Sequence, residues 1–218
     1  GDAAHIQGHQ ITVNSNENPA AVYINAAAVE TGLTVSNATL RISGPLTVAN
    51  HGFPTDCKIL VQNHGKLITN GDASFFRKGG SATFDLTVNT FGAMQVNRNM
   101  EWRSTGGTNK PTTMHLEGNA SLTINQDLIL AHQAGPKTMH LVTGTSLLNV
   151  RRDISFSANA GDMVEIRFNN DSRLHIGRNI TRGTIPYGIL NFTDNTTATF
   201  NGSTYRQHVP QMSGAGGD

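Results

Sequence analysis

Cysteine is almost absent from this 218-residue chain: Cys57 stands alone, so no disulfide can close within it. Charge of one sign is absent too. Lys plus Arg number 16 and Asp plus Glu 15, which leaves no general field to hold a nucleic acid or an anionic membrane. Charged residues make up only 14% and hydrophobic residues 37%, which argues against charge-driven disorder. No apolar run is long enough to span a bilayer, so membrane insertion is not expected. The stretch after Gly1 does not read as a signal peptide; a signal already removed, or a piece of a longer chain, is the expectation. Helix signals are weak. The longest candidate, Pro19 to Glu30, is Ala-rich but holds Val22, Tyr23 and Ile24 at strand-like spacing, and reads as strand with loop.

What the chain has in quantity is a repeat. One apolar column reads Leu40, Leu67, Met94, Leu122, Leu148, Leu174, Ala198, with spacings of 27, 27, 28, 26, 26 and 24. Two residues on it reads Ile42, Thr69, Val96, Ile124, Val150, Ile176, Phe200. Six on it reads Leu46, Ala73, Met100, Leu128, Ile154, Ile180, Thr204, and eight on Val48, Phe75, Trp102, Leu130, Phe156, Arg182, Arg206. A period of this size means a solenoid, a propeller or an array.

Within a copy the apolar residues alternate, which places them on one face of a strand. Polar, turn-prone residues separate the second and third columns: Asn125-Gln126-Asp127, Arg151-Arg152-Asp153, Gly177-Arg178-Asn179. A third strand precedes these two: Ile59/Val61, Leu86/Val88, Met114/Leu116, Ile166/Phe168, Leu190/Phe192, shifted by one to Met139/Leu141 in one copy. Gly79-Gly80, Gly106 to Pro111, Gly135-Pro136, Asn159 to Gly161 and Gly183 to Pro186 break the strands. Three short strands per ~26-residue copy predict an all-β parallel β-helix, with like strands stacked about 4.8 Å apart; the period does not give the hand, and the right-handed form is favoured because the six-residue repeat of left-handed helices is missing from the sequence. A propeller blade needs about 40 to 50 residues and four strands, and fits badly. Residues 1–32 are expected to form N-terminal strands, a cap and the first rung, 33–206 the β-helix, and 207–218 a tail or linker. The core is expected to be a thin column completed only by the stacking of neighbours.

Candidate chemistry is sparse, and no catalytic, cofactor or metal site is assigned. Asp127 and Asp153 share a column with Asn99 and Asn179. Stacked, the two carboxylates would lie roughly 5 Å apart, near a retaining-glycosidase separation, but an Asx ladder bonded to turn backbone is the preferred reading. Arg151-Arg152, with Arg98, Arg178, Arg182 and Arg206 nearby, reads as solvated corner residues, with a basic stripe for an acidic glycan as the alternative. Nine histidines are irregularly spaced. His5 and His9 share a strand face but stand about 13 Å apart, too far for one metal; His115, His140 and His175 are expected to point outward. Cys57 reads as a small buried hydrophobe at a strand start, and Trp102 as core rather than a sugar platform. The sequons at Asn37, Asn119, Asn179, Asn191, Asn195 and Asn201 read as compositional.

The opening, Gly1-Asp2-Ala3-Ala4-His5-Ile6-Gln7-Gly8-His9-Gln10-Ile11-Thr12-Val13, is followed by Ala21 to Ile24 and then by Leu33-Thr34-Val35 to Leu46-Thr47-Val48. It resembles the start of secreted β-helix regions in Bacteroidetes surface and adhesin-like proteins, which type IX secretion often exports. The resemblance covers about residues 1–48. It implies fold and an extracellular, cell-surface location, and brings no catalytic residue. The expected role is a non-enzymatic structural or adhesive solenoid, a stalk or filament subunit. It would be joined head to tail or to neighbouring domains, with a possible glycan surface and no cofactor. Alternatives are a polysaccharide-binding or -degrading β-helix, and a phage tailspike-like fibre.

Overall fold

A computed structural model describes residues 2–50, 55–78, 83–105, 112–132, 138–158, 164–182, 188–200 and 203–206. The loops expected at 79–80, 106–111, 135–136, 159–161 and 183–186, and the tail at 207–218, lie outside them.

The chain winds in coils. Strands β1 (Ala4–Gln7) and β2 (Gln10–Val13) open the first; β3 (Val22–Asn25), β4 (Thr31–Ser36) and β5 (Thr39–Ile42) make the second. Next come β6 (Leu46–Asn50), β7 (Cys57–Gln62) and β8 (Lys66–Thr69), then β9 (Ala73–Lys78), β10 (Phe84–Val88) and β11 (Ala93–Val96). The middle holds β12 (Met100–Thr105), β13 (Thr112–Leu116) and β14 (Ser121–Ile124), then β15 (Leu128–His132), β16 (Thr138–Val142) and β17 (Leu147–Val150). The far end holds β18 (Ile154–Ala158), β19 (Val164–Phe168), β20 (Arg173–Ile176), β21 (Ile180–Arg182), β22 (Gly188–Phe192), β23 (Thr197–Phe200) and β24 (Ser203–Arg206).

Like strands pair in parallel, one coil on the next, giving three 8-stranded sheets. Sheet I runs β1-β3-β6-β9-β12-β15-β18-β21, sheet II β2-β4-β7-β10-β13-β16-β19-β22, and sheet III β5-β8-β11-β14-β17-β20-β23-β24. This is the three-stranded parallel β-helix that the repeat predicts. The column Leu40, Leu67, Met94, Leu122, Leu148, Leu174, Ala198 pairs residue by residue through sheet III, and every member is 3% exposed or less. Sheet I adds Leu46, Ala73, Met100, Leu128 and Ile154, each 0% exposed. Burying such an aliphatic side chain is worth about 1.5–3 kcal/mol, which offsets the entropy of ordering short strands with tight corners. Thr69 interrupts an apolar column yet is fully buried, because its Oγ1 donates to the Gly44 carbonyl at 2.7 Å.

Four expectations change. Ile180 stands in its column by register with Ile154 but is 37% exposed, since among the described residues no further strand follows β21 in sheet I. Thr204 and Arg206 do not continue sheet I; β24 turns back antiparallel on β23 and ends sheet III. The one-residue shift to Met139/Leu141 is absent. The register pairs His140 with Ile166 and Val142 with Phe168, and His140 and Val142 are the buried residues. It follows that His140 points inward, not outward.

Candidate functional site

The corner between sheets III and I holds the stacked carboxylates of Asp127 and Asp153. Asn99 N–H donates to Asp72 Oδ1 (3.0 Å), Asp127 N–H to Asn99 Oδ1 (3.2 Å), Asp153 N–H to Asp127 Oδ1 (3.2 Å) and Asn179 N–H to Asp153 Oδ1 (2.9 Å). Each short polar side chain thus closes the turn of the coil above it, the Asx ladder that the spacing predicts, and Asp72 extends it by one coil. A parallel amide ladder runs beside it, Asn125 Nδ2 to Asn97 Oδ1 (2.8 Å) and Asn97 Nδ2 to Asn70 Oδ1 (2.7 Å). The corner backbone stacks Arg98, Gln126, Arg152 and Arg178 in one column. Arg152 Nε lies 3.4 Å from Asp127 Oδ1. Arg151 falls in the amide column instead, and the side chains of Arg182 and Arg206 lie outside the described part.

Among the described residues no group of three or more His, Cys, Asp or Glu stands close enough to hold a metal. His5 stacks on Tyr23, centroids 4.9 Å apart. His140 Nδ1 accepts the Met114 N–H at 3.1 Å, and the ring sets its edge against Trp102 at 5.4 Å. An imidazole accepting through Nδ1 is unprotonated at that atom. Trp102 is 3% exposed and stacks on Phe75 at 4.6 Å, so it belongs to the core, as expected.

Cys57 starts β7 and is buried, with its thiol pushed up to about 12 by burial, helped by the Asp85 charge. A raised thiol pKa means the unfolded chain ionises first as pH rises. The stabilisation is whole below about pH 9 and drains away toward about 12. Cys57→Ala is therefore expected to lose less stability than wild type between pH 8 and pH 10.5, measured by urea midpoint. Equal losses in the two proteins would refute it.

The outer face of sheet II carries a groove of about 250 Å³ across β7, β10 and β13, lined by Lys58, Leu60, Asp85, Thr87, Thr113 and His115. Lys58 Nζ donates to Glu30 Oε1 at 3.1 Å and lies 3.8 Å from Asp56 Oδ2. The hydrogen bond to Glu30 raises the ammonium pKa, outweighing the opposing effect of burial, and Glu30, Asp56 and Asp85 add their charges. Thr113 Oγ1 donates to Asp85 Oδ1. Further along this face the buried Glu165 carboxylate accepts Arg167 Nε at 3.1 Å and Asn191 Nδ2 at 2.9 Å.

The corner at the end of β7 and β10 is tight. Asn63 and His64 have φ of 51° and 61°, Thr90 and Phe91 of 46° and 62°. Gly65 N–H closes back on Gln62 O at 2.8 Å, and Gly92 N–H on Asn89 O at 2.7 Å, which makes both turns type I′. His64 and Phe91 stack outside the coil at 5.0 Å and 6°, and Phe91 is 51% exposed.

A second concavity, about 450 Å³, opens at the N-terminal end between Ala4, Ile6, Ile11, Val13, Val22, Leu33 and Leu40, with Asp2 and Glu17 at its rim. Among the described residues the first coil has no third strand, and Glu17 bridges Leu40 there.

Of the groove residues only His115 stands out in the sequence, as an outward-pointing histidine, although the signal for the others is there. Register pairs Lys58 with Asp85 and Asp85 with Thr113, and the outward columns follow from the inward ones shifted by one residue. Fold and surface together define a β-solenoid with a polar lateral groove. Comparison with protein-family models, with curated proteins and with solved structures finds no match for this chain.

Proposed function

We propose that the chain is a non-enzymatic structural and adhesive β-solenoid, carried outside a bacterial cell. The observation that carries this reading is the corner ladder: Asp72, Asp127 and Asp153 spend an oxygen each on backbone amides, so the stacked Asp127 and Asp153 serve the coil. General acid–base work needs carboxyl groups aimed at a substrate instead. The opening segment, similar to secreted β-helix regions of Bacteroidetes surface proteins, supports the extracellular placement. The open N-terminal mouth offers apolar surface to the end of a second copy. Asp2 and Glu17 on its rim complement the exposed Arg173 and Arg178 of the far coils, and sizing across a concentration series tests this.

The test of the main reading uses protein-coated beads. They are expected to adhere to cells or to polysaccharide-coated surfaces, while the same protein releases no reducing ends from a polysaccharide panel. Release of reducing ends that disappears in an Asp127→Asn/Asp153→Asn protein would overturn it.

A further inference from the structure

We propose that the groove on the outer face of sheet II is a binding site for a neutral glycan, with the exposed His64–Phe91 pair as its apolar flank; this rests on the adhesive reading above. The first reason is composition. A sugar offers hydroxyls that both donate and accept, together with patches of C–H. Across three coils the groove supplies an ammonium donor (Lys58), a carboxylate acceptor (Asp85), a hydroxyl (Thr87), an imidazole (His115) and the apolar Leu60. Successive coils set these groups about 4.8 Å apart, comparable to the length of one sugar unit in a chain.

The second reason is charge. Lys58 is already balanced by Glu30 and Asp56, and Asp85 adds a further negative charge. Phosphate, sulfate and uronate are therefore disfavoured, and a neutral chain meets no such penalty.

The third reason is strain, an independent observation. Type I′ turns favour Asn-Gly, yet Thr90-Phe91 occupies both positive-φ positions. A β-branched residue and a bulky one are held there against their preference, and such strain persists mainly at ligand clamps and other functional sites. What it achieves here is an aromatic ring half in solvent, at the end of the same strand that carries Asp85 and Thr87. Exposed aromatic rings beside hydroxyl-matching polar groups are the usual means of holding the C–H face of a sugar.

The experiment is calorimetric titration of the whole protein with neutral hexaoses (β-1,4-glucan, β-1,3-glucan, β-1,4-mannan and β-1,4-xylan) and with oligogalacturonate as the acidic probe. Binding of at least one neutral probe and none of the acidic one is expected. Asp85→Ala is expected to weaken it about tenfold. Thr87→Val, which keeps the side-chain shape, should weaken it severalfold, while Gln95→Ala on sheet III leaves it unchanged. Thr90→Asn/Phe91→Gly is expected to raise the melting temperature by about 5 °C while binding falls. No neutral probe bound, a preference for the acidic probe, or unchanged affinity in both Thr87→Val and Thr90→Asn/Phe91→Gly would each overturn the site. Bead adhesion separates the two readings. Adhesion kept by Asp85→Ala removes the groove alone; no adhesion by wild type removes the adhesive role.

Discussion

Trp102→Ala is expected to unfold with a stability loss of about 3–5 kcal/mol. The ring lies face to face with Phe75 of the preceding coil, 4.6 Å away at 10°, and meets Phe84 at 5.5 Å and His140 at 5.4 Å. A coil touches only its neighbours, so the gap weakens both interfaces of β12, with β9 and with β15, at the middle of the stack. For a chain of this size the melting temperature should fall by roughly 6–20 °C. Since Trp102 is the only tryptophan, far-UV circular dichroism has to follow the transition in place of fluorescence. Trp102→Phe is the informative partner. The indole N–H finds no acceptor among the described residues, so phenylalanine keeps the stacking and discards an unpaired donor. It is expected to recover most of the loss. A Trp102→Ala protein with the wild-type urea midpoint would place the ring outside the core.

Gly92→Ala is expected to cost about 1–3 kcal/mol, and more than the same change at Gly118. At Gly92 an added Cβ would sit 2.3 Å from the Val61 carbonyl oxygen, on the backbone of the coil beneath, which cannot swing aside like a flexible side chain. Relief requires prising two coils apart at that corner, where Gly92 N–H also closes the turn on Asn89 O. At Gly118 the nearest atom is 3.4 Å away, so there the penalty comes mainly from a φ of +74°. Equal urea midpoints for the two variants would contradict this ranking.

The contrast explains which parts of the fold were legible in the sequence. Inward columns were readable because burial demands apolar residues at fixed spacing; Leu122, Leu148 and Leu174 announce their own stacking. Hydrophobicity alone favours Met139 and Leu141 as the inward pair and so turns His140 outward. Val142, in line with Leu116 and Phe168, was the correct cue. The inward imidazole is tolerable only because Met114 N–H and Trp102 receive it, a tertiary circumstance. The reversal of β24 carried no pattern signal either, since an alternating strand reads the same in both directions. The two type I′ corners were hidden because Asn63-His64 and Thr90-Phe91 lack glycine at the positive-φ positions. The glycines that matter, Gly65 and Gly92, stand one residue later, where the chain brushes the coil below. The groove is legible only after register is known, because Lys58, Asp85 and Thr113 form no local motif.

Hydrogen bonds in a parallel sheet are evenly spaced and slanted, and they run from each strand to the next. Because the strands here circle the long axis, those bonds point along it, and a pull on the two ends loads them lengthwise. Coils should peel away singly, most of them feeding 24 to 28 residues into the tether. A freed coil drawn straight measures about 90 Å, against about 4.8 Å in the stack. Under tension such a molecule behaves as a shock absorber, gaining about 85 Å for each lost coil while the remaining ones hold.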